Sequence, residues 1–124
     1  MNSPRLDWLY SLWHDFNEEL FDGLLTPIRI LIKKNRTKDG WYEYTTEKRD
    51  GHPWEAWYPR RDMLHNATIT ISDGCFDEGT VEGTLIHEMM HQWQAEIDDD
   101  PSHHDAQFRA WARALEAETG FDIE

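Results

Sequence analysis

Cysteine is almost missing from this chain of 124 residues: Cys75 stands alone, so an internal disulfide is excluded. No apolar run approaches 18 residues, which excludes a membrane-spanning helix of the usual kind. The opening stretch MNSPRLDWLYSLWHDF has no unbroken apolar segment such as a secretory signal needs, so a cytoplasmic location is expected. Basic residues are scarce in one half only. Residues 1–61 hold 10 Lys/Arg against 10 Asp/Glu, whereas residues 62–124 hold 2 against 15, which accounts for the whole net charge of −13. That half should repel phosphate backbones, and nucleic acid is not an expected partner. A small basic cluster (Lys33, Lys34, Arg36, Lys38) reads as a solvated face, with a local anion or nucleic-acid contact as the other reading.

What is present is aromatic and ordinary in polarity. Seven Trp, four Tyr and five Phe, with 39% apolar and 30% charged residues, describe a folded globular chain rather than a disordered one. The length predicts a single domain over residues 1–124. A monomer is expected.

The element pattern reads α-β-β-loop-β-α-α. Ser3 and Pro4 suit a helix start, Leu6, Leu9, Trp13, Phe16 and Leu20 recur at helical spacing, and Gly23 suits a stop. Ile28, Ile30 and Ile32 alternate as a strand, residues 41–46 form a second, and residues 67–71 a third, ended by Ser72-Asp73-Gly74. The polar stretch 47–66, with Trp54, Trp57 and Tyr58, reads as a long loop able to cover a cleft. A second helix should start within residues 78–80 and run to Ala95, and a third should start at Ser102 and stop at Gly120. The fold class is therefore α+β, with a three-stranded antiparallel or mixed sheet packed on an N-terminal helix, a central helix and a C-terminal helix.

The central helix holds His87-Glu88-Met89-Met90-His91, an HExxH motif. Histidines at i and i+4 share one helical face and can bind one Zn²⁺ together. Glu88 is rotated about 100° from His87, beside the metal rather than on it, where it can take a proton from zinc-bound water. The apolar stripe Leu85, Ile86, Met89, Met90 and Trp93 should bury the opposite side. A catalytic zinc needs a third protein ligand. Gln94 and Ile97 stand where metzincins carry Gly and His, so that pattern is excluded. Glu116, Glu118, His103 and His104 remain.

These residues resemble the SprT-like zinc metalloproteases, the family that includes the Spartan/Wss-type enzymes acting on proteins crosslinked to DNA. Phe16-Asn17-Glu18-Glu19-Leu20-Phe21-Asp22-Gly23-Leu24-Leu25 is similar to the family's opening FN-x-x-x-F-x-G-x-L segment. Thr68-Ile69-Thr70-Ile71-Ser72 resembles its strand before the active-site helix. Leu85-Ile86-His87-Glu88-Met89-Met90-His91-Gln92-Trp93 resembles its L-x-HEM-x-H-x-W core. His104-Asp105-Ala106-Gln107-Phe108 resembles its H-G-x-x-F element, with Asp105 where Gly is usual. The resemblance implies a small zincin-like domain in which His87, His91 and His104 hold zinc and Glu88 is the catalytic base. His104 also stands four residues before Phe108 and seven before Trp111, on the face the last helix turns inward. Ending at Glu124, the chain is expected to lack the zinc-ribbon or DNA-binding modules found in many relatives.

The expected function is a zinc-dependent metallopeptidase acting on protein or peptide substrates. Two other readings are a structural-zinc interaction domain without catalysis and a hydrolase of non-peptide amides or esters. The third strand is expected to be a sheet edge that pairs with an extended peptide. His52, His65, Tyr58 and Arg60 are candidates to polarise a substrate carbonyl, while Cys75 and His14 read as buried and partly buried structural residues.

Overall fold

The computed structural model describes residues 3–35, 37–46, 64–98 and 104–123. Helix α1 (Pro4–Leu20) starts as expected, with the Ser3 hydroxyl accepting from Leu6 N–H. Leu9, Trp13 and Phe16 bury its inner face. The chain then reverses through Asp22 and Gly23, both at positive φ. Asn17 fastens this reversal: its side-chain amide donates to the Leu25 carbonyl and accepts from the Leu25 N–H. Phe21 and Leu25 are thereby drawn into the core, at 1% and 3% exposure.

Strand β1 (Arg29–Lys33) pairs parallel with β3 (Leu64–Ser72), and β2 (Gly40–Thr46) pairs antiparallel with the other side of β3. The sheet is mixed, in the order β1-β3-β2, with a bulge in β2 between Glu43 and Thr45. This overturns the expectation that the third strand is an edge. β3 is the central strand, and among the described residues the edges are β1 and β2. Both of its faces are covered: Thr68 and Thr70 are buried along with Ile69 and Ile71. β3 also starts three residues before the predicted boundary of the long loop, whose residues 47–63 lie outside the described ones.

A short helix, α2 (Gly74–Glu78), follows where only a turn was expected, and Gly79 closes it at φ 72°. Helix α3 (Val81–Glu96) carries the HExxH segment. It was expected to bury one side; instead it is enclosed on nearly all sides. Leu85, Ile86, Met89, Met90 and Gln92 are fully buried, and Glu88, His91, Gln94 and Glu96 are nearly so. His91, Gln92, Gln94 and Glu96 are hydrogen-bonded, as buried polar groups require. Gln92 accepts from Trp13 Nε1 and donates to the Thr26 carbonyl, while Glu96 accepts from the Thr26 N–H and hydroxyl. These bonds lock α3 against α1 and the turn before β1.

Helix α4 (Ala106–Thr119) is capped by Asp105, which accepts from Phe108 N–H, and ends at Gly120 with φ 80°. The expected cap, Ser102, lies outside the described residues, and the described helix starts four residues later. His14 is exposed rather than partly buried, whereas Cys75 is buried as expected.

Candidate metal centre

His87 and His91 project from α3 one turn apart, and His104 stands two residues before α4. Their Nε2 atoms converge: His104 Nε2 is 3.0 Å from that of His87 and 3.0 Å from that of His91. Among the described residues this is the one group of three ligand-type side chains placed to hold a metal ion, its atoms all lying within 4.8 Å of one another. Phe108 sits beneath all three rings, stacked on His91 at 4.7 Å and edge-on to His87 and His104 at 5.2 and 5.0 Å. The expected inward helical face does not bring His104 and Phe108 together: His104 is exposed and precedes α4, Asp105 between them is extended, and Phe108 meets its ring from the first turn of the helix.

The chemistry of this donor set fits a cation. Nδ1 of His87 is 2.8 Å from the Ile123 carbonyl, and Nδ1 of His91 is 2.9 Å from Oε1 of Gln94. Both oxygens only accept, so each Nδ1 carries the proton and each Nε2 presents a lone pair. His104 Nε2 can donate to one of them at most. A cation at the centre satisfies all three, and nitrogens 3.0 Å apart can both lie about 2.1 Å from one zinc ion. Burial reinforces this, lowering the His91 pKa to about 4, with the neighbouring His87 and His104 acting in the same direction against the Gln94 bond. His91 is thus a neutral donor at neutral pH.

Glu88 does not join the three nitrogens. It is 6% exposed and lines a cleft of about 320 Å³ with His87, His91, His104, Lys38, Gly40, Trp41 and Tyr42. Burial pushes its carboxyl up to about 8, and the Lys38 ammonium pulls the other way. Gly40 opens β2 directly above: a Cβ there would lie 2.9 Å from Thr84 Cγ2 and 3.4 Å from Glu88 Cγ, so only glycine lets the edge strand pass this close to α3. The Tyr42 hydroxyl is buried with no hydrogen-bond partner among the described residues, and burial raises its pKa, keeping it a neutral donor.

Glu116 is half-buried and Glu118 exposed on α4, outside the cluster. His103, His52, Tyr58 and Arg60 lie outside the described residues, as does the side chain of His65. Sequence reasoning missed the Ile123 carbonyl, Gly40 and Tyr42, which only tertiary folding brings here. Gln94 had a signal: it stands three residues after His91, on the same helical face.

An α+β domain with an HExxH helix under a mixed sheet, and a third histidine delivered from the segment before the last helix, has a zincin-like architecture. The SprT-like family model matches residues 9–124, essentially the whole chain, and the chain belongs to the SprT-like family. No curated protein and no solved structure matches it.

Proposed function

We propose that the protein is a zinc-dependent metallopeptidase that hydrolyses peptide bonds in protein substrates. The observation that carries this reading is a buried carboxyl, Glu88, in one cleft with three converged imidazoles, beneath a strand that ends the sheet. Family membership supports it. His87, His91 and His104 would hold the metal. Zinc supplies a Lewis acid there, polarising the scissile carbonyl and acidifying water.

The remaining steps belong to the chain. An extended peptide adds to the outer edge of β2, not β3, because β2 is the edge beside the cleft. Paired antiparallel, it passes Tyr42, Trp41 and Gly40 and so crosses Glu88. With a cation held beside it Glu88 would be ionised, and its carboxylate takes a proton from the attacking water and delivers it to the leaving amine nitrogen as the C–N bond breaks. A structural zinc site usually completes its shell with a fourth protein ligand; among the described residues the cluster has three.

The test is incubation of the pure protein with a panel of denatured proteins, with and without chelator, alongside Glu88→Gln. Wild type should cleave, and chelator should stop it. Glu88→Gln should bind zinc as before while losing activity by a factor of 10² or more, roughly the weight of a general base. Zinc bound tightly with no cleavage of any protein or peptide would favour the structural-zinc reading. Cleavage of esters or simple amides alone would favour the non-peptide hydrolase. None of the described helices is long and apolar enough to cross a membrane; a cytoplasmic location is proposed on the lone cysteine.

A further inference from the structure

Helix α3 has a glycine as its third residue, and glycine is a poor helix former. The structure shows what the missing side chain admits. A Cβ on Gly83 would lie 1.8 Å from the Asp122 carbonyl oxygen and 2.8 Å from its carbon. The segment after α4 therefore crosses α3 in direct backbone contact at this notch. Its path is fixed on both sides. Gly120 turns the chain at φ 80°, and the Thr119 hydroxyl accepts from Phe121 N–H while donating to the Leu115 carbonyl. Phe121 packs edge-on against Phe16, and the Ile123 side chain is buried at 4% exposure. His87 follows Gly83 by four residues, on the same helical face one turn on. A segment lying over Gly83 thus arrives at His87, and the Ile123 carbonyl meets Nδ1 at 2.8 Å.

We propose that residues 121–123 are a positioning element of the metal centre: seated on the Gly83 notch, they hold the Ile123 carbonyl against Nδ1 of His87 and so fix the orientation and tautomer of that ring. The inference rests on the metal-centre reading and deepens it. A carbonyl accepts only, so this contact keeps the proton on Nδ1 and points the Nε2 lone pair at His91 and His104. Without the seated segment, His87 would have to be ordered at the moment the metal binds. The same residues also wall the cavity beside Glu88, since Asp122 and Ile123 line it with Lys38, Thr80 and Thr84.

The test uses the full chain. Zinc affinity is measured by competition with a chromogenic chelator for wild type, Gly83→Ala and Phe121→Ala, with circular dichroism of each metal-free form. Gly83→Ala fills the notch; Phe121→Ala loosens the segment without touching α3. Both should lose about 10–100-fold in zinc affinity while keeping the metal-free helical signal. Folded variants that bind zinc within twofold of wild type would overturn the proposal. Nitrogen-15 spectra of the metal-free wild type give a readout that needs no variant: His87 should be the Nδ1–H tautomer, and the Nε2–H tautomer would overturn the assignment. A wild type that takes up no zinc but shows the Nδ1–H tautomer would defeat the metal reading and leave the contact standing as purely structural, which also overturns the positioning role.

Discussion

A buried imidazole and a buried carboxyl one turn apart have opposite demands, and the metal-free protein should show both. His91, lowered to about 4 by burial, binds a proton more readily unfolded than folded below its ordinary pKa of 6.5. Its contribution to stability is therefore lost as pH falls from about 6.5 to 4. Glu88, raised to about 8, binds a proton more readily folded. Its contribution is present at low pH and lost as pH rises from 4.5 through 8. The two slopes oppose each other below 6.5; above it only that of Glu88 remains. Metal-free wild type should lose denaturant stability between pH 6.5 and 8, and Glu88→Gln should flatten that fall. An unchanged slope in the variant would show that Glu88 is not held as a buried acid. At the same scale, Gln94→Ala should weaken zinc about tenfold, read by chelator competition, because it removes the acceptor on Nδ1 of His91. These residues also mark what was readable beforehand. His87, Glu88 and His91 declare themselves by spacing along one helix, and His104 by its likeness to the family's H-G-x-x-F element rather than by a helical face, since it precedes α4. The Ile123 carbonyl and the notch at Gly83 leave no local trace, since a main-chain acceptor has no residue type and a glycine in a helix has many causes.

Among the elements, α4 depends on the residue that departs from the family pattern. Where glycine is usual, Asp105 adopts φ −78°, ψ −177°, an extended conformation that needs no glycine, and its carboxylate caps the helix. It directly follows His104, so the cap also anchors the backbone that delivers the third imidazole. Asp105→Ala should cost about 1 kcal/mol, a fall in Tm of about 4 °C, and should weaken zinc binding as well. Asp105→Gly should cost only a few tenths of a kcal/mol, because glycine is itself a tolerated cap. Equal losses in the two variants, by thermal denaturation, would mean that the carboxylate matters for something other than capping. Element types were legible from periodicity: α1, α3, α4 and all three strands stand close to where the pattern puts them. Strand order was not. Alternation reports which face of a strand is apolar but not its neighbours, and Thr68 and Thr70 are buried in the central strand despite their hydroxyls. The edge assignment therefore moved from β3 to β2, and the expected peptide-binding strand with it. Helix α2 escaped because five residues are too few for a period to show.

For the molecule as a whole, the three converged imidazoles join α3 to the segment leading into α4, so a metal ion held there would link binding to stability. At a free zinc concentration 100 times its Kd, binding to the folded state alone adds about 2.7 kcal/mol, and chelator should lower Tm accordingly in wild type but not in His87→Ala. The charge distribution leads to a further expectation. The half that carries the metal centre holds 15 acidic residues and 2 basic ones, and every phosphate contact calls for a cation or a hydrogen-bond donor. Lys38 is the exception that enters the cleft, and it faces the buried Glu88 rather than standing free for a phosphate. We therefore expect duplex DNA to bind with Kd weaker than about 10 µM at physiological salt, and to leave the rate of proteolysis unchanged. Fluorescence anisotropy with a labelled duplex, titrated at two salt concentrations, measures this directly. Binding that is tight and falls steeply with salt would require a concentrated basic surface. Charge reversal at Lys33 and Lys34 would then locate it on the far half of the chain, and the substrate would have to be sought among proteins already on DNA.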